Sequence, residues 1–229
     1  MITGPTPHAS RFTPHASRKM IAVIDYGMGN LRSVAKALEH VAPGVAVEVT
    51  SEPSRVRAAE RVVFPGQGAM PDCMREMRAR GLYEAVMDAA RDKPFLGICI
   101  GLQMLFDVSD EGDIPGLGVL PGRVRRFAHD LRDAGGRKLK VPHMGWNEVH
   151  QTGAHPLWQG IAQDARFYFV HSFYPAPSDA SQVAGVSRYP APFACAAARG
   201  NIFAVQFHPE KSAAAGLKLL SNFVAWRPV

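Results

Sequence analysis

Short apolar runs alternate with helical stretches along the first half of the chain. Residues 21–24 form an apolar run that predicts a buried strand, and apolar positions within residues 31–41 recur at helical spacing. The same pattern predicts a helical stretch at 82–90 and further strands at 45–49, 61–64 and 95–98. This alternation predicts a parallel sheet with helices on both faces.

The second half of the chain consists mainly of strand-like segments separated by Gly and Pro turns. These segments are 119–127, 146–149, 166–170, 183–187, 193–198 and 202–207. Residues 213–224 close the chain with apolar positions on one face of a predicted helix. We therefore predict an α/β fold in which a mostly parallel, twisted central sheet carries helices on both faces and an antiparallel flank.

The composition indicates a single-domain protein and argues against membrane, disulfide-rich and metal-binding classes. With 229 residues, of which 47% are hydrophobic, the chain is large enough to bury the core of one domain. Its apolar runs fall short of the roughly 18 residues that a membrane-spanning helix needs, so we expect no membrane segment. Three scattered cysteines are too few for a disulfide framework and predict a reducing, cytoplasmic setting. No metal-ligand spacing occurs, and we predict neither a metal site nor a cofactor.

The N-terminal segment stands apart from this pattern. Residues 6–11 and 13–18 repeat the sequence TPHASR, and no apolar core of a signal peptide is present. We predict that residues 1–19 form a disordered tail and that 20–229 form one domain. The net charge is +6, but Arg11, Arg18 and Lys19 belong to this tail. The remaining excess of about three charges is too small to predict nucleic-acid binding.

A candidate nucleophile lies at the end of the predicted strand 95–98. Gly97, Cys99 and Gly101 form a G-x-C-x-G pattern just before the helical stretch 102–106, which is the cysteine version of a nucleophile elbow. A helix N-terminus behind the sulfur would favour the thiolate form. The alternative is that Cys99 is a small buried hydrophobic residue, as most free cysteines are.

A candidate base follows the predicted strand 202–207. His208 lies where it can reach a nucleophile at the end of a neighbouring strand, and Glu210 can accept a hydrogen bond from the other imidazole nitrogen. Pro209 stiffens the turn between them. Alone, the pair favours a solvated histidine beside a surface glutamate. Its occurrence together with the elbow favours a Cys-His-Glu triad.

A glycine-rich loop follows the predicted strand 61–64. Gly66 and Gly68 flank Gln67 and allow a peptide plane to turn its N–H toward an anion. With the N–H of Ile100, this loop would form an oxyanion hole, although a simple β-turn is the alternative. A phosphate-binding loop at residues 27–32 is excluded, because Arg32 occupies the third glycine position of G-x-G-x-x-G.

Three segments resemble the signatures of class-I glutamine amidotransferases, in that family's order. They are PGQG at 65–68, GICIGLQ at 97–103 and FHPEKS at 207–212. Within the family, residues 25–31, 142–147 and 170–174 resemble the glutaminase subunits of imidazole glycerol phosphate synthases. The resemblance covers the chain from about residue 20 to its end. It implies the family's flavodoxin-like fold and hydrolysis of glutamine to glutamate and ammonia.

The resemblance also implies roles around the triad. It assigns glutamine binding to Gly66, Gly68, Gln103, Glu111, His171, Ser172 and Phe173. It places five residues toward a partner and the passage for ammonia: Asn30, Met144, Trp146, Tyr168 and Lys211. The implied partner is a (β/α)8 barrel synthase subunit of histidine biosynthesis, bound as a heterodimer. Gln67 and Phe173 depart from the family pattern, in which a small apolar residue and a tyrosine are expected.

Two other functions fit parts of the pattern. The chain could be a free-standing γ-glutamyl hydrolase or the glutaminase of another amidotransferase, against which the motif at 142–147 argues. It could also be a non-catalytic scaffold that only binds a partner. Retention of Cys99, His208 and Glu210 argues against a scaffold.

Overall fold

A computed structural model describes residues 20–228, so the predicted tail at 1–19 lies outside the described residues. The α-helices are α1 (Leu31–Val41), α2 (Pro53–Ala58), α3 (Met70–Ala79), α4 (Tyr83–Asp92), α5 (Ile100–Met104) and α6 (Ala213–Ala225). The strands of the first half are β1 (Met20–Ile24), β2 (Ala46–Thr50), β3 (Arg61–Gly66), β4 (Phe95–Cys99), β5 (Phe106–Ser109), β6 (Ile114–Pro115) and β7 (Leu120–Arg126). The later strands are β8 (His143–Glu148), β9 (His150–Gln151), β10 (Arg166–His171), β11 (Phe173–Pro177), β12 (Val183–Arg188), β13 (Pro192–Arg199) and β14 (Ile202–Val205).

The central sheet has eight strands in the order β2-β1-β3-β4-β14-β13-β12-β9. Its first five strands pair in parallel, and β13, β12 and β9 continue it antiparallel. The parallel part follows the flavodoxin-like order 2-1-3-4-5, with β14 as the fifth strand. The predicted parallel sheet with an antiparallel flank is confirmed. A four-stranded sheet, β11-β7-β5-β6, and a two-stranded ribbon, β10-β8, complete the structure.

Helices cover the central sheet on two faces. The chain runs from β1 outward to β2 through α1 and then back across β1 to β3 through α2. Because such crossovers are right-handed, α1 and α2 lie on opposite faces. Helix α6 packs beside α1, and α4 packs beside α2. Strands β1, β3, β4 and β14 are buried along their whole length, as expected for parallel strands covered on both sides. Among the described residues, no helix is long and apolar enough to span a membrane.

Several elements differ from the sequence prediction. Helix α3 was not predicted, although its buried residues recur at helical spacing: Met70, Cys73, Met74 and Met77. The helix expected at 102–106 instead begins at Ile100 and ends at Met104, because Phe106 opens β5. The strand expected at 202–207 ends at Val205. There the chain turns toward β10, and the N–H of His208 bonds to the carbonyl of Tyr168 at 2.9 Å.

The carboxyl ends of β3, β4 and β14 lie side by side. Gly66 is level with Cys99 in the β3–β4 pair, and Val205 is level with Ile98 in the β14–β4 pair. The segments that follow these three strands carry the glycine loop, the elbow and the His-x-Glu turn. The parallel sheet therefore brings all three sequence motifs to one edge.

Helix α5 packs directly against β3, and Gly101 lies at the point of closest approach. A Cβ atom on Gly101 would lie 1.7 Å from the carbonyl oxygen of Phe64, which is backbone and cannot rotate away. We expect Gly101→Ala to lower the free energy of unfolding by about 3 kcal/mol or more, measured by urea unfolding. Gly153→Ala is the matched control, because no atom lies within 4 Å of its added Cβ. Equal unfolding midpoints for the two variants would contradict this account.

Candidate active site

Cys99 occupies a sharp turn between β4 and α5. Its backbone has φ 56° and ψ −110°, a conformation that residues other than glycine rarely adopt. Strained backbone of this kind occurs preferentially at functional sites. The flanking Gly97 is closely packed, since its added Cβ would lie 3.0 Å from the Cβ of Ala204. The local structure is therefore that of a nucleophile elbow, with a largely buried sulfur at the carboxyl edge of the sheet.

His208 and Glu210 form a buried pair beside the elbow. The Nδ1 atom of His208 is 2.9 Å from Oε1 of Glu210, whose side chain is only 1% exposed. Because a carboxylate accepts, Nδ1 carries the proton. Burial lowers the pKa of His208, but attraction to Cys99 and to Glu210 outweighs burial and raises this pKa above its ordinary value. The Nε2 atom of His208 has no hydrogen-bond partner within residues 20–228.

Ser212 holds the backbone of His208 against β10. Its buried hydroxyl donates to the carbonyl of His208 at 2.6 Å and accepts from the N–H of Tyr168 at 3.0 Å. The imidazole thus projects from a backbone that is fixed to a neighbouring strand. The sequence contained Ser212 within the FHPEKS motif, but its contact with β10 could not be inferred from the pattern.

Cys99 and His208 line one cavity of about 240 Å³. The other residues that line it are Gln67, Gly68, Ile100, Gln103, Glu111, Pro142, Val170, His171, Ser172 and Phe173. Every predicted glutamine-binding residue except Gly66 is in this set. Gly66 lies beneath the loop, where an added Cβ would clash with the hydroxyl of Tyr26. Among the described residues, no group of three or more His, Cys, Asp or Glu side chains could hold a metal ion.

Two polar side chains in the cavity have defined partners. The Nε2 atom of Gln103 donates to the carbonyl of Phe173 at 3.1 Å and to Oε1 of Gln206 at 3.0 Å. The Oε1 atom of Gln103 is buried without a hydrogen-bond partner, which leaves an acceptor available to a ligand cation. One carboxylate oxygen of Glu111 accepts from the N–H of Met70 at 2.8 Å. Glu111 therefore also anchors the start of α3.

The glycine loop is held from beneath by two side chains. The Tyr26 hydroxyl donates to the carbonyl of Pro65 at 2.9 Å, and burial keeps the pKa of Tyr26 well above its ordinary value. The Cys73 thiol lies 3.7 Å from the carbonyl of Gln67. Because the C=O and N–H of a trans peptide point in opposite directions, the N–H of Gly68 points away from Cys73.

The residues predicted to face a partner lie mainly on the β8–β10 ribbon. Met144 is 62% exposed and Trp146 is 45% exposed, and Tyr168 stands opposite Trp146 in the strand pair. The ammonium of Lys211 lies 6.0 Å from the centre of the Tyr168 ring. We call these four residues the ribbon patch. Asn30 is placed separately, at the start of α1 after the carboxyl end of β1.

Sequence similarity to a known family extends over almost the whole of the described chain. A family model described as glutamine amidotransferase class-I matches residues 22–226. The chain belongs to the class-I glutamine amidotransferase family. The elbow, the His-Glu pair and the cavity all lie inside the matched region.

Curated relatives of this amidotransferase are similar over nearly their full length. Imidazole glycerol phosphate synthase subunit HisH of Nitrosospira multiformis is 68% identical over 210 residues, covering 91% of this chain and 99% of the relative. The protein of the same name from Aromatoleum aromaticum is 66% identical over 209 residues, covering 91% and 99%.

Solved structures show the same fold at low identity. A structure described as a glutamine amidotransferase superposes with a TM-score of 0.66 at 17% identity, covering 90% of this chain and 97% of that chain. A glutamine amidotransferase from Thermotoga maritima gives 0.54 at 16% identity, covering 84% and 76%. At these identities the likeness shows the fold alone.

Three partly or fully buried histidines of this amidotransferase are kept uncharged. Burial lowers the pKa of His143 and of His155 to about 4 and that of His171 to about 3. The unfolded chain binds protons at these residues near pH 6.5, whereas the folded protein does not. We therefore expect the free energy of unfolding to fall as the pH is lowered from about 6.5 to about 4.

Urea unfolding at a series of pH values measures this dependence. His155→Asn should flatten the decline, because it removes one of the three groups and keeps an acceptor for the N–H of Leu157, to which Nδ1 of His155 now bonds. His40→Asn, at an exposed position of α1, is the control and should leave the slope unchanged. A decline that is identical in both variants would be evidence against the assignment of His155.

Proposed function

We propose that this chain is the glutamine-hydrolysing subunit of an imidazole glycerol phosphate synthase. The observation that carries the proposal is the placement of Cys99, in a strained elbow, on the same 240 Å³ cavity as a His208 that is oriented by Glu210. Membership of the class-I amidotransferases supports glutamine as the substrate. Identity of up to 68% to subunits named HisH supports the assignment to histidine biosynthesis.

The proposed reaction proceeds through a thioester. The Cys99 thiolate attacks the γ-carbonyl carbon of glutamine, and the carbon–nitrogen bond breaks as Nε2 of His208 donates a proton to the leaving ammonia. Neutral His208 then takes a proton from water, which hydrolyses the thioester to glutamate and returns the cysteine. Glu210 accepts from Nδ1 throughout and stabilises the imidazolium.

The cavity supplies groups for each end of the substrate. In this proposal, backbone N–H groups of Ile100 and of the loop at 66–68 stabilise the oxyanion. The free Oε1 of Gln103 accepts from the α-ammonium group, and the second oxygen of Glu111 faces the same group. The segment 171–173 forms the wall beside the α-carboxylate.

The ribbon patch is the proposed docking surface for the partner subunit. Side chains of β8 and β10 alternate between two faces, as strand geometry requires. His143, Phe169 and His171 are buried on the inner face, whereas Met144 and Trp146 are exposed on the outer face. Exposed aromatic and Met side chains rimmed by a cation are typical of protein interfaces. We infer that the barrel synthase subunit docks on this patch and receives ammonia there.

The first test removes the nucleophile. Cys99→Ala should lower glutamine hydrolysis by at least about a thousandfold, measured as glutamate released when the barrel subunit is bound together with its nucleotide ligand. Cys195→Ala is the control, because Cys195 is buried in β13 and does not line the cavity. It should retain activity within a few fold. Full activity of Cys99→Ala would refute the mechanism, and wild-type activity that needs no barrel subunit would favour a free-standing hydrolase.

The second test concerns the partner. Trp146→Ala should weaken binding of the barrel subunit by at least about tenfold, as expected for an aromatic side chain at the centre of an interface. Isothermal titration calorimetry measures the affinity directly. Val49→Ala is the matched control, because Val49 is 41% exposed on β2, outside the ribbon patch. Equal affinities for the two variants would exclude the patch as the docking surface.

A further inference from the structure

One buried glutamine contacts the candidate nucleophile and has no role in the mechanism above. The Nε2 atom of Gln206 lies 3.7 Å from the sulfur of Cys99. We propose that Gln206 is a positioning residue, whose amide donates a hydrogen bond to the Cys99 sulfur and favours its thiolate form. This inference rests on the proposed function, because that function makes Cys99 the nucleophile.

Gln206 is held firmly beneath the elbow. Its side chain is completely buried, and its backbone N–H donates to the carbonyl of Cys195 at 2.8 Å. It follows β14 and stands two residues before His208, so one short segment carries both the base and this amide. A completely buried amide keeps its partners because unpaired polar groups are costly in the protein interior.

The direction of the Gln206 amide follows from its neighbours. The carbonyl of Phe173 can only accept, so Gln103, at 3.1 Å, must present its NH2 group to it. The same NH2 group lies 3.0 Å from the Gln206 amide, which must therefore present its oxygen there. The NH2 group of Gln206 is left to face the sulfur. The orientation of the Gln206 NH2 group toward the Cys99 sulfur is therefore fixed by the Phe173 carbonyl and Gln103.

The Phe173 carbonyl joins the Gln103–Gln206 pair to a second set of hydrogen bonds that reaches β8. The Phe173 carbonyl also accepts from Nδ1 of His171 at 2.8 Å, so neutral His171 accepts at Nε2 from His143, at 2.9 Å. The Nε2 atom of His143 in turn accepts from the Asn147 amide at 3.2 Å. That amide also donates to the carbonyl of Arg188 at 2.9 Å, which fixes its orientation.

A donor on the sulfur changes the chemistry of Cys99. A thiolate is a far better acceptor than a thiol, so a fixed N–H stabilises the charged form and holds the sulfur in one position. Several titratable groups also line the cavity or interact electrostatically with Cys99: Tyr26, Cys73, Glu111, His171 and His208. All of them are retained when only Gln206 is changed.

Two substitutions distinguish the role of the acceptor oxygen of Gln206 from that of its donor NH2 group. Gln206→Glu keeps the size of the side chain and the oxygen that accepts from Gln103, but places an oxygen against the sulfur. Gln206→Met removes both the acceptor and the donor without adding a charge. The readout is the rate of iodoacetamide labelling of Cys99 against pH, followed by mass spectrometry of its peptide, in the full chain bound to the barrel subunit.

We expect both variants to shift the pH midpoint of labelling upward by about one unit or more, because a hydrogen bond to a charged group is lost. We also expect kcat for glutamine hydrolysis to fall about tenfold or more in both, while KM for Gln206→Glu stays within a few fold. Circular dichroism and thermal melting verify that each variant is folded. The labelling shift of the uncharged Gln206→Met isolates the loss of the donor, because the carboxylate of Gln206→Glu also raises the midpoint through its charge.

A different result is expected if Gln206 does not donate to the Cys99 sulfur. If Gln206 only supports Gln103, Gln206→Met will label with the wild-type midpoint. That result, or a wild-type midpoint and kcat in Gln206→Glu, would overturn the inference. Failure of the proposed function has a different signature. It would appear as retained hydrolysis by Cys99→Ala, whereas an inactive Cys99→Ala together with an unshifted midpoint would remove only the role of Gln206.

Discussion

The close contact between α5 and β3 is the constraint on which the rest of the site depends. Cys99 can hold its left-handed backbone only because the surrounding packing leaves the chain no relaxed alternative. Gly101 allows the helix to approach the carbonyl of Phe64 at a distance that any side chain would prevent. The close contact of α5 with β3 fixes the position of the Cys99 sulfur relative to the central sheet. Strands of the same sheet position the glycine loop and His208, whereas β10 and β11 of the two smaller sheets supply the cavity wall at residues 170–173.

The motifs that define the sheet edge were visible in the sequence because each one is local. Apolar runs followed by Gly-x-Cys-x-Gly or His-Pro-Glu indicate a strand and the turn after it, and parallel pairing then brings those turns together. Helix α3 also had a local signal, since Met70, Cys73, Met74 and Met77 recur at helical spacing, and that signal was overlooked. The strand at β14 was predicted two residues too long because its apolar run continues past the last sheet pairing.

The hydrogen bonds that support the candidate site could not be predicted from any local sequence pattern. Gln103 and Gln206 are 103 residues apart, and His143 and His171 are 28 apart, so their pairing depends on the complete fold. Ser212 and Gln206 look like ordinary polar residues in the sequence. Only their burial makes their hydrogen bonds consequential, because in a medium of low polarity each donor needs its acceptor. A pattern of residue types can therefore locate the candidate reacting groups but not the groups that contact them from behind.

The hydroxyl of Ser212 has a mechanical consequence. It bonds to β10 on one side and to the backbone of His208 on the other, and it adds to the direct bond from the His208 N–H to the carbonyl of Tyr168. Because these bonds are buried, a displacement of the ribbon by about 1 Å or more would break them unless the backbone of His208 moved with it. The candidate base is thereby tied to the outer ribbon, whereas the sulfur of Cys99 belongs to the central sheet.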